Sequence, residues 1–449
     1  MTEKTAGPID SYMEKIKNLG DEEIQTIIKA LRSKLGVSEA SFVNSCVRCG
    51  LCADSCHYYQ ASPQLENTPA YKLNLVLSIF KRYFTFMGQA APRWTGARNL
   101  DQAMVKEWID VLFGRCTGCG RCTINCTSGI NIPAMIRAAR GALAAAGLVP
   151  PELQATVLMA VESGNNMGIP TDEWIDTLEW IQDELRGETK DPEATIPVDQ
   201  KGKKILYTVN PREPKFFPLS LLAAAKVFHA AKESWTFSSQ YYDVTNYGLY
   251  SGDNSHAAVI SGRLAKAMEE LSAEILVLGE CGHGYNSNRW SAPNWLQKEF
   301  PFPVVSVIEL VADYISRGRI TLDPSLNPKP VTLHDPCNLV RLGGVIEDQR
   351  YILKKSVADF VEMTPNRQKN YCCGGGGGQL AMSRFARRRI EAGRIKAEQI
   401  RRTGAEIVVA PCHNCIDQLS ELNKEYKLNV EAKTVVEMVG DALVFPAKQ

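Results

Sequence analysis

The sequence has almost no excess of charge of either sign, with 51 Lys and Arg against 50 Asp and Glu and a formal net charge of +1. Such a balance argues against binding to nucleic acid or to an anionic membrane through overall charge. No run approaches the roughly 20 consecutive apolar residues that a membrane-spanning helix needs. The N-terminus lacks the apolar core of a secretory signal, so we expect a cytoplasmic protein that binds no nucleic acid.

Nucleotide-binding signals are missing as well. No GxGxxG fingerprint follows an apolar strand-like segment, and we therefore predict that the chain carries no flavin. Cysteine, in contrast, is abundant, with 14 residues in a chain of 449. A reducing cytoplasm disfavours structural disulfides, so this number of thiols indicates metal or redox chemistry. Eight of them form two tight runs, one stands alone at Cys281, and five lie between residues 337 and 415.

The two tight runs have the same internal spacing, which is Cys46-x2-Cys49-x2-Cys52-x3-Cys56 and Cys116-x2-Cys119-x2-Cys122-x3-Cys126. Bacterial two-cluster ferredoxins use this spacing, and the fourth cysteine of each run ligates the other cubane [4Fe–4S] cluster. We therefore assign one cluster to Cys46, Cys49, Cys52 and Cys126, and the other to Cys116, Cys119, Cys122 and Cys56. A pair of zinc sites is the alternative, but one spacing repeated over eight cysteines favours clusters. The proline that usually follows the fourth cysteine is replaced by His57 and Thr127.

Hydrophobic periodicity organises the rest of the chain. Residues 9–36 have helical spacing with a break at Gly20. Four short apolar runs, KKILYTVN, AEILVLGE, PKPVTLHDP and AEIVVAPC, predict buried strands after residue 202, with helices between them. We predict an α/β protein with an α-helical ferredoxin domain. Its parts are an N-terminal helical segment (1–36), the two-cluster ferredoxin domain (37–145), a helical segment and linker (146–200), and two related α/β lobes (201–325 and 326–449).

The five C-terminal cysteines exceed what one ordinary metal site uses. They are Cys337, the adjacent pair Cys372 and Cys373, and the Cys412-x2-Cys415 element. One tetrahedral zinc or one cubane cluster takes four ligands, and adjacent cysteines form only a strained disulfide. Five thiolates therefore favour a cluster with more ligand positions than a cube has.

This pattern, with Gly374 after the cysteine pair, resembles the cysteine-rich CCG domain of heterodisulfide reductases. Two ferredoxin runs followed by CCG elements resemble the HdrD-like iron–sulfur subunits (heterodisulfide reductase D, DsrK, TmcB and HmcF type) over about residues 40–445. The resemblance implies a noncubane [4Fe–4S] cluster at which disulfide chemistry occurs, held by Cys337, Cys372, Cys373, Cys412 and Cys415.

The resemblance also implies partners and a location. The expected partners are a membrane cytochrome b-type or quinone-linked subunit and other iron–sulfur or cytochrome c subunits of one complex. The expected substrate is a small disulfide or a DsrC-like protein disulfide or trisulfide. Through such partners the chain is expected to attach peripherally to the inner face of the cytoplasmic membrane.

The first α/β lobe departs from the family pattern. Members with two full CCG motifs can hold two noncubane clusters, but here Cys281 stands alone in GECGHGYN. Gly284 occupies the place of a second cysteine, and YYDVTNYG stands where a cysteine pair would be. We expect one noncubane cluster, with Cys281 either a redox thiol that faces it or a buried remnant.

The glycine run Gly374–Gly378 directly follows the cysteine pair. We expect Gly374, Gly375 and Gly376 to let backbone amides and a substrate sulfur approach the cluster, since glycine has no Cβ. A flexible loop is the alternative.

Histidine supplies protons near neutral pH, and disulfide reduction consumes two of them. His334 and His413 flank the presumed noncubane site, which makes them candidate proton donors, and Cys281 is the third candidate catalytic residue. Capping or backbone hydrogen bonding is the alternative for each histidine.

Two further segments combine basic and apolar residues. A basic stretch comprises Arg384, Arg387, Arg388, Arg389, Arg394, Lys396, Arg401 and Arg402. We expect it to form a solvated helical face, the alternative being a docking surface for an acidic partner. The insert around Leu73–Phe86 has apolar residues on both faces, which favours a place in the core over packing on a membrane subunit.

These features predict a heterodisulfide reductase-like oxidoreductase. Electrons enter singly through a partner, cross the two cubane clusters and reach the noncubane cluster. The alternative from another class is a non-catalytic electron-transfer subunit of a glycolate, lactate or glycerol-3-phosphate dehydrogenase-type complex. A zinc-structured interaction protein is a third hypothesis, which a brown purified protein excludes.

Overall fold

The structure, a computed structural model, describes residues 8–445. Residues 1–7 of the predicted N-terminal segment and 446–449 of the predicted last lobe lie outside the described residues. The chain forms two units. The first comprises residues up to Val157, Tyr247–Asn254 and Gly374–Ile395, and the second comprises Leu158–Asn246, Ser255–Cys373 and the residues from Lys396 onward. The domain boundaries predicted from the sequence stay a prediction.

The first unit is built from helices and holds both ferredoxin runs. Its longer helices are Pro8–Lys17, Asp21–Lys34, Pro69–Phe84, Ile132–Ala145 and Pro151–Ser163. Shorter ones are Val37–Ser41, Leu51–Ser55, His57–Ala61, Phe86–Ala90, Pro92–Thr95, Gln102–Trp108, Arg121–Ile124, Gly248–Ser251 and Ala386–Ala392. A π-helical turn covers Ile109–Phe113, and 3₁₀ turns cover Phe42–Asn44, Leu65–Asn67 and Ser383–Phe385. The helix predicted over 9–36 is confirmed, and Gly20 caps its second half.

Two helices pack on each other next to the ferredoxin runs. Pro69–Phe84 begins after Thr68, whose hydroxyl accepts a hydrogen bond from the Tyr71 N–H. Ile132–Ala145 begins after Asn131, whose side chain accepts one from the Ala134 N–H. Such caps satisfy amides that the helix leaves without partners. The buried faces of both helices belong to one apolar core, as predicted for the insert.

The second unit contains two parallel four-stranded sheets of the same topology. The first has β1 (Ile205–Thr208), β2 (Trp235–Thr236), β3 (Ile275–Leu278) and β4 (Val304–Ser306), in the order β2-β1-β3-β4. The second has β5 (Val331–Leu333), β6 (Phe360–Val361), β7 (Ile407–Val409) and β8 (Glu431–Lys433), in the order β6-β5-β7-β8. The predicted α/β fold class and the four predicted strands, β1, β3, β5 and β7, are confirmed.

Helices connect these strands and cover the sheets. They are Thr171–Thr189, Arg212–Phe216, Pro218–Ala230, Asn254–Leu271, Gly282–Tyr285, Ala292–Leu296, Val307–Ser316, Asp348–Ser356, Arg394–Thr403, His413–Tyr426 and Val435–Ala442. A π-helical turn covers Asn286–Ser291, and 3₁₀ turns cover Pro324–Leu326 and Arg367–Lys369. One apolar core contains residues of both sheets.

None of the helices in the described part of the chain combines the length and the apolar content that a bilayer span requires.

Candidate metal centres

Site one is a cavity lined by Cys46, Cys49, Cys52 and Cys126. The first three come from one loop, which turns at left-handed Gly50 (φ 85°) into helix Leu51–Ser55. The fourth comes from the other run. Four free thiols around one cavity with mainly apolar walls are the donor set of a cubane cluster.

Site two is a second cavity, lined by Cys116, Cys119, Cys122 and Cys56. Left-handed Gly118 (φ 67°) and Gly120 (φ 74°) shape its loop, and the Gly118 N–H lies 3.4 Å from Cys116 Sγ, a contact typical of cluster loops. The structure thus sorts the eight cysteines into the two crossed sets that the spacing predicts. Their role as ligands stays a prediction.

The positions that usually hold proline differ between the two runs. His57 begins the short helix His57–Ala61 and is buried, and its ring packs against Tyr58 with centroids 4.7 Å apart. Thr127 lines site one. Neither replacement displaces the preceding cysteine from its cavity.

Three of the five C-terminal cysteines lie at the edge where strands of the second sheet end. Cys337 follows β5, Cys412 follows β7, and Cys415 lies in the first turn of helix His413–Tyr426. All five thiols are buried, and Cys373 Sγ lies 3.7 Å from Cys415 Sγ. Ligands of open α/β sheets bind at this edge. This set, the CCG site (Cys337, Cys372, Cys373, Cys412 and Cys415), has the donor chemistry of an iron–sulfur cluster.

The thiols of the CCG site differ in acidity. A hydrogen bond from Cys415 lowers the pKa of Cys412 to about 7, although burial acts in the opposite direction. Hydrogen bonds with Cys373 and Cys412 raise the pKa of Cys415. A lowered pKa of Cys412 favours metal uptake, because only the thiolate is a ligand.

The two candidate histidines have different surroundings. His334 is buried, neither of its ring nitrogens has a hydrogen-bond partner among the described residues, and a ring nitrogen lies within 4.8 Å of both Cys373 and Cys415 Sγ. The ring of His413 faces Glu213, with Nε2 3.4 Å from the carboxylate. Burial by itself lowers the pKa of His413, but Glu213 and Glu280 raise it to about 9.

The glycine run packs closely on the loop of site two. It belongs to the first unit, and its left-handed residues are Gly374 (φ 106°), Gly377 (φ 69°) and Gly378 (φ 82°). A Cβ at Gly377 would stand 2.5 Å from Thr117 Cα and 2.8 Å from the Cys116 carbonyl oxygen. This close packing accounts for glycine here. The predicted role of Gly374, Gly375 and Gly376 in substrate approach stays a prediction.

The first lobe keeps the strand ends but not the thiols. After β1 the sequence continues Asn210-Pro211-Arg212 where Asp335-Pro336-Cys337 follows β5, so Arg212 stands in the place of Cys337. Arg212 forms an ion pair with Asp417. At Gly284 a Cβ would stand 2.5 Å from the Val244 carbonyl oxygen, so no side chain fits there.

Cys281 is 1% exposed and corresponds to Cys412 of the second lobe. Its Sγ lies 3.3 Å from His283 Nδ1 and 3.8 Å from Asn210 Nδ2. Burial and the nearby Cys412 raise the pKa of this thiol. Cys281 is therefore a buried thiol next to polar side chains, and whether it is a redox thiol stays a prediction.

Two residues of the basic stretch, Arg389 and Lys396, are buried, contrary to the sequence-based expectation. Lys396, expected on a solvated face, is fully buried and donates a hydrogen bond to Asn370 Oδ1. Burial lowers its pKa to about 8, while Asp335 and the Cys373 and Cys372 thiols act in the opposite direction. The solvated face is therefore wrong for both positions. The sequence contained one signal for this, because Lys396 occupies a position of its helix at which the hydrophobic period calls for an apolar residue.

Comparison with known proteins agrees with this geometry. Residues 42–130 match the 4Fe-4S dicluster domain, and residues 331–420 match the Cysteine-rich domain. The Hdr-like menaquinol oxidoreductase iron-sulfur subunit of Archaeoglobus profundus is 28% identical, over 90% of this chain and 80% of the relative.

Two further relatives extend the comparison. A dihydromethanophenazine:CoB–CoM heterodisulfide reductase subunit of Methanosarcina mazei is 27% identical, over 90% of this chain and 95% of the relative. The EtfAB:quinone oxidoreductase of Syntrophomonas wolfei is 21% identical, over 89% of this chain and 58% of the relative. The chain is thus an iron–sulfur protein homologous over nine tenths of its length to HdrD-like iron–sulfur subunits, and the predicted resemblance is confirmed.

Proposed function

We propose that this chain is the catalytic iron–sulfur subunit of a membrane-associated respiratory redox complex and acts on a disulfide/thiol couple. The observation that carries the proposal is the CCG site, with five buried thiols in one lobe of a chain that also has two four-cysteine sites. Four thiols would satisfy a cubane, so the fifth indicates a noncubane [4Fe–4S] cluster. The relatives named as oxidoreductase subunits support the coarser part of the proposal.

The five thiolates of the CCG site hold the cluster, and the two crossed sets hold cubane clusters. When bound, the clusters supply single electrons to a disulfide, whose reduction, RS–SR′ + 2 e⁻ + 2 H⁺ → RSH + R′SH, takes two. The burial of all five thiols keeps bulk water away from this chemistry.

The two histidines have separate roles in this proposal. Since no described residue occupies the ring nitrogens of His334, it is the candidate that transfers a proton to a leaving thiolate beside Cys373 and Cys415. Burial and Lys396 hold its pKa well below the usual range, so the neutral ring gives a proton from one nitrogen and takes one from solvent at the other. His413 is a positioning residue, because its ring faces Glu213. Its backbone N–H donates to the Glu280 carbonyl at 2.9 Å, which fixes the turn that contains Cys412.

A quinone-linked membrane subunit is the proposed electron partner. Two of the relatives are named as menaquinol or quinone oxidoreductases, which supports attachment of this chain at the inner face of the membrane through such a subunit. The substrate is a small heterodisulfide or a DsrC-like protein disulfide.

A second candidate is an electron relay without disulfide chemistry. The similarity to an EtfAB:quinone oxidoreductase over 89% of this chain favours it. In that case the CCG site holds a cluster that passes electrons on and binds no external sulfur.

Electron paramagnetic resonance of anaerobically purified protein, with iron counted, separates the two candidates. We expect about twelve irons per chain, from three clusters of four. On oxidation we expect a paramagnetic signal that changes when a thiol is added. The variant Cys373→Ser should lose that signal and about four irons. The matched control Cys281→Ser should keep both. A signal that does not change when a thiol is added would favour the electron relay. About eight irons per chain in the wild type would contradict the noncubane cluster.

A further inference from the structure

The two cubane sites differ in their buried charge. Site two is bordered by Lys72 and by Arg140, which are 2% and 4% exposed. Among the described residues, neither forms an ion pair with a carboxylate. Arg115 also lines site two, but its Nε lies 2.9 Å from Asp110 Oδ2, which offsets its charge. The basic residue that lines site one is Arg48, which is exposed to water.

Lys72 brings a positive charge directly to site two. It lies on helix Pro69–Phe84, and its Nζ is 3.8 Å from Cys56 Sγ. Nζ also donates to the Arg115 carbonyl and lies 5.2 Å from the centroid of the Tyr58 ring. These two neighbours are uncharged. A buried ammonium group costs several kcal/mol unless a negative charge compensates it. The thiolates of site two are the nearby groups that supply this negative charge.

Arg140 is the second cation, on helix Ile132–Ala145. Its guanidinium donates to four backbone carbonyls and to no side chain among the described residues. They are those of Leu112 (2.7 Å), Cys116 (2.7 Å), Tyr250 (3.0 Å) and Gly377 (3.1 Å). Carbonyls satisfy the donors but leave the charge uncompensated. Arginine stays protonated in proteins, so this charge is permanent.

The same guanidinium joins the ligand loop of site two to the glycine run. It binds the carbonyls of Cys116 and Gly377 together, and both belong to the first unit. The run is linked by a peptide bond to Cys373 of the CCG site. The loop of site two therefore contacts the segment that directly follows the cysteine pair in the chain.

We propose that Lys72 and Arg140 give the cubane of site two a higher reduction potential than the cubane of site one, so that an electron entering the ferredoxin unit collects at site two. Reduction adds one negative charge to a cluster, and a fixed cation in a medium of low dielectric constant stabilises the reduced form. Around site one, water screens the charge of Arg48. The inference rests on the proposed function only in taking both crossed cysteine sets as cubane ligands.

A redox titration of the anaerobic wild-type protein, followed by electron paramagnetic resonance, tests the order. The variants Cys49→Ser and Cys119→Ser, which each remove one cubane, assign the two midpoints to sites. We expect the midpoint of site two to be higher by at least the 59 mV that corresponds to a tenfold ratio for a one-electron couple. Equal midpoints, or a higher midpoint at site one, would overturn the proposal.

Charge variants test the cause. Lys72→Met should lower the midpoint potential of site two by about 59 mV, which corresponds to a tenfold change in the ratio of reduced to oxidised cluster. It should leave the midpoint of site one in place, and Lys72→Arg should restore the wild-type value. Arg140→Lys keeps the charge and loses most of the hydrogen bonds, so its midpoint should stay near that of the wild type. Arg48→Met is the matched control at site one and should shift its midpoint much less.

The outcomes separate this inference from the proposed function. If replacing Lys72 does not change the midpoint potential of site two, the inference is wrong, and the proposal of three clusters and thiol binding is unaffected. Loss of cubane signals from the wild type would contradict the cubane assignment itself. Iron is counted in every variant, so that a lost cluster is not read as a shifted potential.

Discussion

The two lobes of the second unit have the same sheet topology but differ in the number of cysteines that they contain. Strands β1 to β4 and β5 to β8 are connected in the same order, and both pack into one apolar core. The second lobe presents five buried thiols at its strand ends, and the first presents Cys281. The core stabilises both sheets whether or not a lobe has metal ligands. Fold and metal binding are therefore separable here.

Residues at the strand ends of the first lobe bind side chains of the second lobe. Asn210 donates a hydrogen bond to Asn414 Oδ1 at 3.1 Å, where the second lobe has Asp335. Asp335 forms a buried ion pair with Arg350, whose guanidinium also contacts Glu362. The second lobe thus has a buried charged network at its strand ends, whereas Arg212 of the first lobe pairs with Asp417 and Asn210 with Asn414.

The largest expected effect tests whether the second lobe alone binds metal. Replacing Cys373 by Ser should remove about four irons per chain, and replacing Cys281 by Ser should remove none. Iron and sulfide analysis of both purified variants measures this. Iron lost from the Cys281 variant would show that the first lobe still contributes a ligand.

The charged network is the next feature to break. Arg350→Met should lower the free energy of unfolding by about 3–5 kcal/mol, because it leaves the buried Asp335 carboxylate without its cation. Urea unfolding followed by tryptophan fluorescence under anaerobic conditions measures it. Arg317→Met is the matched control, since this residue forms an exposed pair with Asp313, and it should cost below about 1 kcal/mol. Equal costs would mean that the network does not stabilise the lobe.

Restoring a cysteine to the first lobe should fail. Gly284→Cys places a Cβ against the Val244 carbonyl, so we expect a loss of about 1–3 kcal/mol and no gain of iron. The control Gly187→Cys, on helix Thr171–Thr189, meets no heavy atom within 4 Å and should leave stability nearly unchanged. A gain of iron in the Gly284 variant would show that the first lobe can still form a site.

The smallest expected effect concerns His283, two residues after Cys281. Burial lowers its pKa to about 3, so between that value and 6.5 the unfolded chain binds a proton that the folded chain does not. Stability contributed by neutral His283 is present above pH 6.5 and falls by about 1.4 kcal/mol per pH unit below it. His283→Gln should remove this slope. Unfolding midpoints at pH 5, 6 and 7 measure it, and parallel profiles for both proteins would contradict the prediction.

Strand prediction from the sequence worked for some strands and not for others. The four inner strands were predictable, because strands buried on both faces are continuous apolar runs. The outer strands β2, β4, β6 and β8 have two or three residues each, and the four predicted apolar runs do not include them. Their pairing depends on the inner strands beside them.

The grouping of the cysteines and the difference between the lobes could be predicted from the amino-acid sequence. Cysteine spacing is a local property, since three thiols in one tight loop must converge whatever surrounds them. Which charged side chains lie next to the sites depends instead on the packing of the folded chain. Lys72 borders Cys56 from 16 residues away, and Arg140 binds Gly377 across 237 residues. Such contacts leave no periodic trace in the chain, because burial and charge compensation are fixed by packing between distant segments.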